Sequence, residues 1–131
     1  MTPNEYQQAA LRTDGNWDFY AKAHVRLASA DPDMMMLLHA AVGIASEAGE
    51  LQDALKKHIF YGREFDWTNA VEEVGDLLWY AALACEALGT TMEYVMEFNI
   101  AKLKVRYPEK FEAQRSIERD LAAERAALEG K

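Results

Sequence analysis

Four carboxylates carry the chemistry within this sequence's reach: Glu47 and Glu50, then Glu73 and Asp76. They stand in two similar words, Glu47-Ala48-Gly49-Glu50 and Glu73-Val74-Gly75-Asp76. Residues three apart on a helix are neighbours on one face, so each word aims two acids the same way. Glu72, four before Asp76, can join the second pair. The flanks are apolar: no Asp, Glu, Lys or Arg occurs from Met34 to Ser46, and from Leu77 to Leu88 only Glu86 is charged. A carboxylate in such surroundings is costly to ionise and tends to protonate, and several together repel. A shared divalent cation removes both costs, and oxygen donors without His or Cys favour Mg²⁺ or Mn²⁺ over zinc. Glycine in a helix interior costs about 1 kcal/mol relative to alanine. Gly49 and Gly75, each just before the second acid, therefore imply close approach of the two helices or of a ligand. Glu-x-x-Glu is also a common spacing on a solvated helix face. Two such pairs in apolar sequence favour a joint site.

The elements that must position these acids are two helices, expected over 34–58 and 68–88. In the first, Leu37, Ala41, Ile44, Ala48, Leu51 and Leu55 follow 3/4 spacing, and in the second Val71, Val74, Leu78, Ala81, Cys85 and Leu88 do, each a core-facing stripe. Met36, Val42, Leu77, Trp79, Tyr80 and Leu83 extend the apolar surface beyond those stripes, which marks both helices as central. Asp31-Pro32 caps the first; Lys56, Lys57 and His58 in its last turn suit the helix dipole. Tyr61-Gly62-Arg63 reads as the loop, Asp66 or Thr68 caps the second helix, and Leu88-Gly89 ends it.

Ahead of this pair, Thr2-Pro3-Asn4-Glu5 is a capping box opening a short helix to about Leu11. Gly15-Asn16 breaks it, and Trp17 to Ala28 forms another. Trp17, Phe19, Tyr20 and His24 there can wall a nucleobase or pack as aromatics between helices. Behind the pair, Thr90-Thr91-Met92-Glu93 is a second capping box, and Pro108 ends the helix it starts. Asn99, Lys102 and Arg106 share one face of that helix, fit for phosphate oxygens or simply for solvent. Glu109 to Leu128 is strongly charged, with Ile117, Leu121 and Leu128 apolar, and reads as a peripheral helix.

A chain of 131 residues, half of them apolar, suits one domain. The expectation is an all-α helical bundle with two central acidic helices, its core at about 34–107, an N-terminal helical arm at 1–30 and a peripheral helix at 109–130. The single Cys85 cannot form a disulfide within the chain, and neither a leader pattern nor a membrane-length apolar run is present. A cytoplasmic protein is expected. The formal charge of −8 argues against binding a nucleic-acid polymer. No Walker-type phosphate loop exists, since the one Gly-Lys pair is Gly130-Lys131.

The acidic words resemble the double motif of the MazG-like, all-α nucleoside triphosphate pyrophosphohydrolases. Similar too are Glu47-Ala-Gly-Glu-Leu51, Lys56-Lys57, Glu72-Glu-Val-Gly-Asp-Leu-Leu-Trp-Tyr80, Asn99-Ile-Ala-Lys102-Leu103 and Arg106-Tyr-Pro108. The likeness covers roughly 40–111, and Glu5-Tyr6-Gln7 with Arg12-Thr13 resemble the opening of short, phage-type members. Ser46 departs from the glycine usual there. The resemblance implies cleavage of a nucleoside triphosphate between its α and β phosphates, in nucleotide-pool control or house-cleaning, with Mg²⁺ (or Mn²⁺) held by Glu47, Glu50, Glu73 and Asp76. Glu72 would stand beside them, and Glu47 or Glu50 would orient or deprotonate the attacking water. It further implies phosphate contacts from Asn99, Lys102 and Arg106, with Lys56, Lys57 and Trp17 as further candidates. A homo-oligomer, dimer or dimer of dimers, is also implied. Two other classes compete. A di-iron bundle needs Glu-x-x-His, but Ala21, Met36 and Leu55 stand three before the three histidines. A non-enzymatic helical interaction module would use the acids only to solvate a groove.

Overall fold

The computed structural model describes residues 1–130; Lys131, half of the Gly-Lys pair noted above, lies outside them. The described residues form helices and connecting loops, with no strand among them. They divide into two compact units, Met1–Met35 and the chain from Met36 onward.

In the first unit α1 spans Pro3–Leu11 and α2 spans Trp17–Ala28. Thr2 and Glu5 form the expected reciprocal cap: Thr2 Oγ1 accepts from the Glu5 N–H at 3.2 Å, and the Thr2 N–H donates to Glu5 Oε2 at 2.6 Å. Asn16 caps α2 through Oδ1, 3.1 Å from the Phe19 nitrogen. Gly15 is required by packing, because a Cβ there would lie 2.4 Å from the Phe19 ring. Phe19 and Tyr20 meet edge to face, 5.3 Å between centroids.

The helix α3, Pro32–Tyr61, begins in the first unit with Asp31 Oδ1 accepting from the Met34 N–H at 2.7 Å. In the second unit it is followed by α4, Trp67–Ala87, and α5, Met92–Arg106. Asp66, not Thr68, caps α4 (3.0 Å to the Asn69 nitrogen), and Thr91 rather than Thr90 caps α5 (3.2 Å to the Tyr94 nitrogen). Gly62 and Gly89 leave α3 and α4 at φ +67° and +63°, backbone that glycine adopts without steric cost. The charged C-terminal stretch forms two short helices instead of one: α6, Ala113–Ile117, and α7, Leu121–Leu128. The break falls where Asp120 turns its carboxylate onto the Ala123 N–H at 2.9 Å and caps a new start. The α7 helix packs on α5.

The inward faces of α3 and α4 follow the expected stripes only in part: Leu37, Ala48, Leu51 and Ala81 are half-buried and Cys85 is buried, while Ala41, Ile44, Leu55 and Leu88 are exposed. Ala40 and Gly43 are buried in α3, with Glu47 one turn on and half-buried; Glu73 and Cys85 are buried in α4, with Leu77 and Tyr80 half-buried between them. Val71, Val74 and Leu78 of the expected stripe are exposed, Val71 by 72%. The correction has a simple cause. Both helices are apolar on several faces, so periodicity does not decide which face turns inward, and the small residues of α3 do. Tyr80 lies across Gly43 so closely that a Cβ would stand 2.2 Å from its ring, and His39 meets the same ring at 5.6 Å. No described helix is long and apolar enough to cross a membrane.

Candidate metal centre and active-site cleft

The contact of Gly43 with Tyr80 sets the two acidic words against each other. One turn beyond Gly43 comes Glu47, and Glu73 and Asp76 lie on the turns of α4 preceding Tyr80. One carboxylate oxygen from each of Glu47, Glu73 and Asp76 lies within 4.8 Å of the others. Three acids from two helices thus converge in a donor set of oxygens alone, which fits a hard divalent cation such as Mg²⁺ or Mn²⁺. Glu73 is 6% exposed, Glu47 half-buried and Asp76 exposed.

The electrostatics match that geometry. Burial pushes the Glu47 carboxyl above the usual carboxylate range; the Ser46 hydroxyl partly offsets this, and the charges of Glu50, Asp76 and Glu73 add to it. The Ser46 Oγ stands 3.0 Å from the Gly43 carbonyl oxygen and 3.2 Å from Glu47 Oε1. Glu73 is tied more firmly: Asn69 Nδ2 donates to its Oε1 at 2.5 Å. Asn69 is itself placed by Asp66, whose carboxylate takes its N–H.

Beside the cluster opens a cleft of about 510 Å³, with Glu50, Asp53, Lys57, Arg63, Asn69 and Glu73 in its wall. Glu73 belongs to both cluster and cleft. Glu50 lines the cleft but lies outside the group of three, and Glu72 is exposed and joins neither. Lys56 and Lys57 both bond Asp53, Lys57 at 2.5 Å, and their ammonium groups hold the Asp53 carboxyl down at about 2.

The face expected from Asn99, Lys102 and Arg106 is arranged otherwise. Asn99 is exposed and Lys102 half-buried, and neither lines the cleft. The Arg106 guanidinium is engaged by Glu124 of α7, Nε at 2.9 Å from Oε1 and Nη2 at 2.6 Å from Oε2. Trp17, 90% exposed, belongs to the first unit, where it borders a small hollow with Asp14, Asn16 and Tyr20. Asp53, Glu64 and Asn69, absent from the sequence reading, line the cleft, as does Arg63, which was read there only as part of the loop. Asn69 had a legible signal in its position four before Glu73, on the same helical face; Arg63 had none beyond the loop it sits in.

Comparison with known families adds one finding. The model of the MazG nucleotide pyrophosphohydrolase domain matches residues 38–111, a span that contains both acidic words and the loop between them. No curated protein and no solved structure matches the chain.

Proposed function

The chain belongs to the MazG nucleotide pyrophosphohydrolase family, and from that membership we propose that it cleaves a nucleoside triphosphate to the monophosphate and pyrophosphate with the help of Mg²⁺. The observation that carries the reading is the meeting of Glu47, Glu73 and Asp76 within 4.8 Å at the edge of a cleft large enough for a phosphate chain. These three, with Glu50 of the cleft lining, are the residues that would hold the metal. A divalent cation there supplies charge neutralisation for the phosphates and acidifies water.

The chain's own groups do the rest. Asn69 and Ser46 fix the orientation of Glu73 and Glu47. Glu47 or Glu50 orients or deprotonates the attacking water. Lys57 brings positive charge to the wall, which phosphoryl chemistry needs for positioning and electrostatic stabilisation. Lys102 and Asn99 of α5 contribute where a second copy completes the site. The exposed apolar surface of the α4 helix supports such self-association, as a dimer or dimer of dimers. A role in nucleotide-pool control or house-cleaning follows from this chemistry, and the lone buried thiol of Cys85 suits the cytoplasm.

The test is separation of products after incubation with a panel of canonical and modified nucleoside triphosphates, with Mg²⁺ and with chelator. Monophosphate and pyrophosphate are expected in the metal-containing samples alone. A helical interaction module would turn over nothing in any of them.

A further inference from the structure

Five carboxylates line the cleft against two cations, Lys57 and Arg63. A polyphosphate entering it meets the cluster of Glu47, Glu73 and Asp76 at one side, where metal charge is needed before any phosphate can approach. Its other end must find a cation of the protein. Lys57 is already bonded to Asp53, which also takes Lys56. Arg106, the arginine that sequence reasoning offered for phosphate, is held in a two-pronged pair with Glu124. Arg63 is different: its side chain makes no ion pair and no hydrogen bond among the described residues.

Its backbone, by contrast, is tightly tied. The Arg63 N–H donates to the Lys57 carbonyl at 3.2 Å, and the preceding Gly62 N–H to the His58 carbonyl at 3.2 Å, with Gly62 in the left-handed region. The Arg63 carbonyl accepts from His58 Nδ1 at 2.8 Å. The His58 ring meets Phe65 edge on at 5.6 Å, and Phe65 meets Trp67 at 4.8 Å. The loop from α3 to α4 is thus locked on both sides of a residue whose charged end is unengaged. A guanidinium offers a planar fork that takes two phosphate oxygens at once, stronger and more directional than an ammonium. Prior fixing of the backbone lowers the ordering cost of binding.

We propose that Arg63 binds the β and γ phosphates of the substrate, and so the departing pyrophosphate, at the cation-bearing wall of the cleft. The proposal rests on the pyrophosphohydrolase reading given above. His58 acts as a positioning residue, holding the Arg63 carbonyl.

Calorimetric titration of the full chain with inorganic pyrophosphate in saturating Mg²⁺ tests this in wild type, Arg63→Gln and Arg63→Lys. Mn²⁺ and a nucleoside monophosphate are titrated separately, and circular dichroism checks helicity. Loss of a charge-assisted pair should weaken pyrophosphate binding by about tenfold or more in Arg63→Gln, with partial recovery in Arg63→Lys. Mn²⁺ and monophosphate affinities should stay as in wild type. If wild type binds pyrophosphate and Arg63→Gln binds it equally well, the assignment of Arg63 is overturned while the pyrophosphohydrolase reading stands. A parallel loss of Mn²⁺ affinity also overturns it, by showing that the residue acts through the metal centre. If wild type neither binds pyrophosphate nor releases it from any nucleotide, both fall together.

Discussion

Asn69 does for Glu73 what no described residue does for Asp76: it occupies one carboxylate oxygen and so decides where the other points. A metal-ligating carboxylate held in place by a neighbouring donor binds its cation more tightly than one left free to turn. Asn69→Ala should therefore weaken Mn²⁺ binding, followed by paramagnetic resonance, by roughly 10-fold to 100-fold, and lower turnover in step. Asp76→Asn should abolish turnover nearly completely while leaving helical content intact. Unchanged Mn²⁺ affinity in Asn69→Ala would remove Asn69 from the site. Of the four acids expected together, Glu47, Glu73 and Asp76 meet and Glu50 stays outside; the pairing was legible because two such words recur in apolar sequence, whereas one alone is a common solvated spacing. Arg63 was not, since a loop arginine becomes informative only once the cations around it are seen to be spent. Gly49 and Gly75 were legible as anomalies. A Cβ at either meets nothing, so helix packing does not require them; the glycine of α3 that packing does require is Gly43, under the Tyr80 ring, while Gly49 lines the cleft.

At the scale of elements, α7 is held to α5 by a buried acid between two arginines. Glu124 is 3% exposed, pairs with Arg106 as described, and also takes Arg119 Nη2 at 2.7 Å. The Arg106 side chain there is 17% exposed. Arg106 and then Arg119 hold the Glu124 carboxyl down to about 2 from its ordinary 4.5. A carboxyl depressed on folding stabilises the folded form above its unfolded pKa and loses that contribution as pH falls through its folded one. The docking of α7 should therefore be constant from neutral pH down to about 4.5 and weaken progressively toward about 2. Amide exchange in α7 measures it: exchange should accelerate across that window in wild type. In Glu124→Gln it should be fast already at neutral pH, because breaking one side of a buried pair leaves the arginines uncompensated. Equal protection in the two proteins would show that the pair does not hold the helix. Helix identities and several caps were readable from Thr2, Asp31, Asp66 and the glycines at the ends, whereas Asn16 was read as a break and is the cap of α2. The division of 109–130 was not, because Asp120 serves equally as a surface acid and as an N-cap until its neighbours are placed.

For the molecule as a whole, the unassigned surface is the apolar one. Val71, Val74, Leu78 and Trp79 lie exposed along α4, and Ile59 and Phe60 at the end of α3. Exposed apolar residues of this kind support the proposed self-association, as does the apolar character of α3 and α4 on several faces. Light scattering should return at least twice the monomer mass, and Val71→Lys with Leu78→Lys should lower it. A wild-type monomer at working concentration would contradict self-association. What the whole molecule does is tested elsewhere, in the bond it breaks. The sequence has no Walker-type phosphate loop, and the proposed reading makes pyrophosphate the leaving group. Anion-exchange separation of the first products formed with Mg²⁺ decides the matter. Nucleoside monophosphate with pyrophosphate is the expected result, and nucleoside diphosphate with free phosphate would contradict it at whatever rate they appeared.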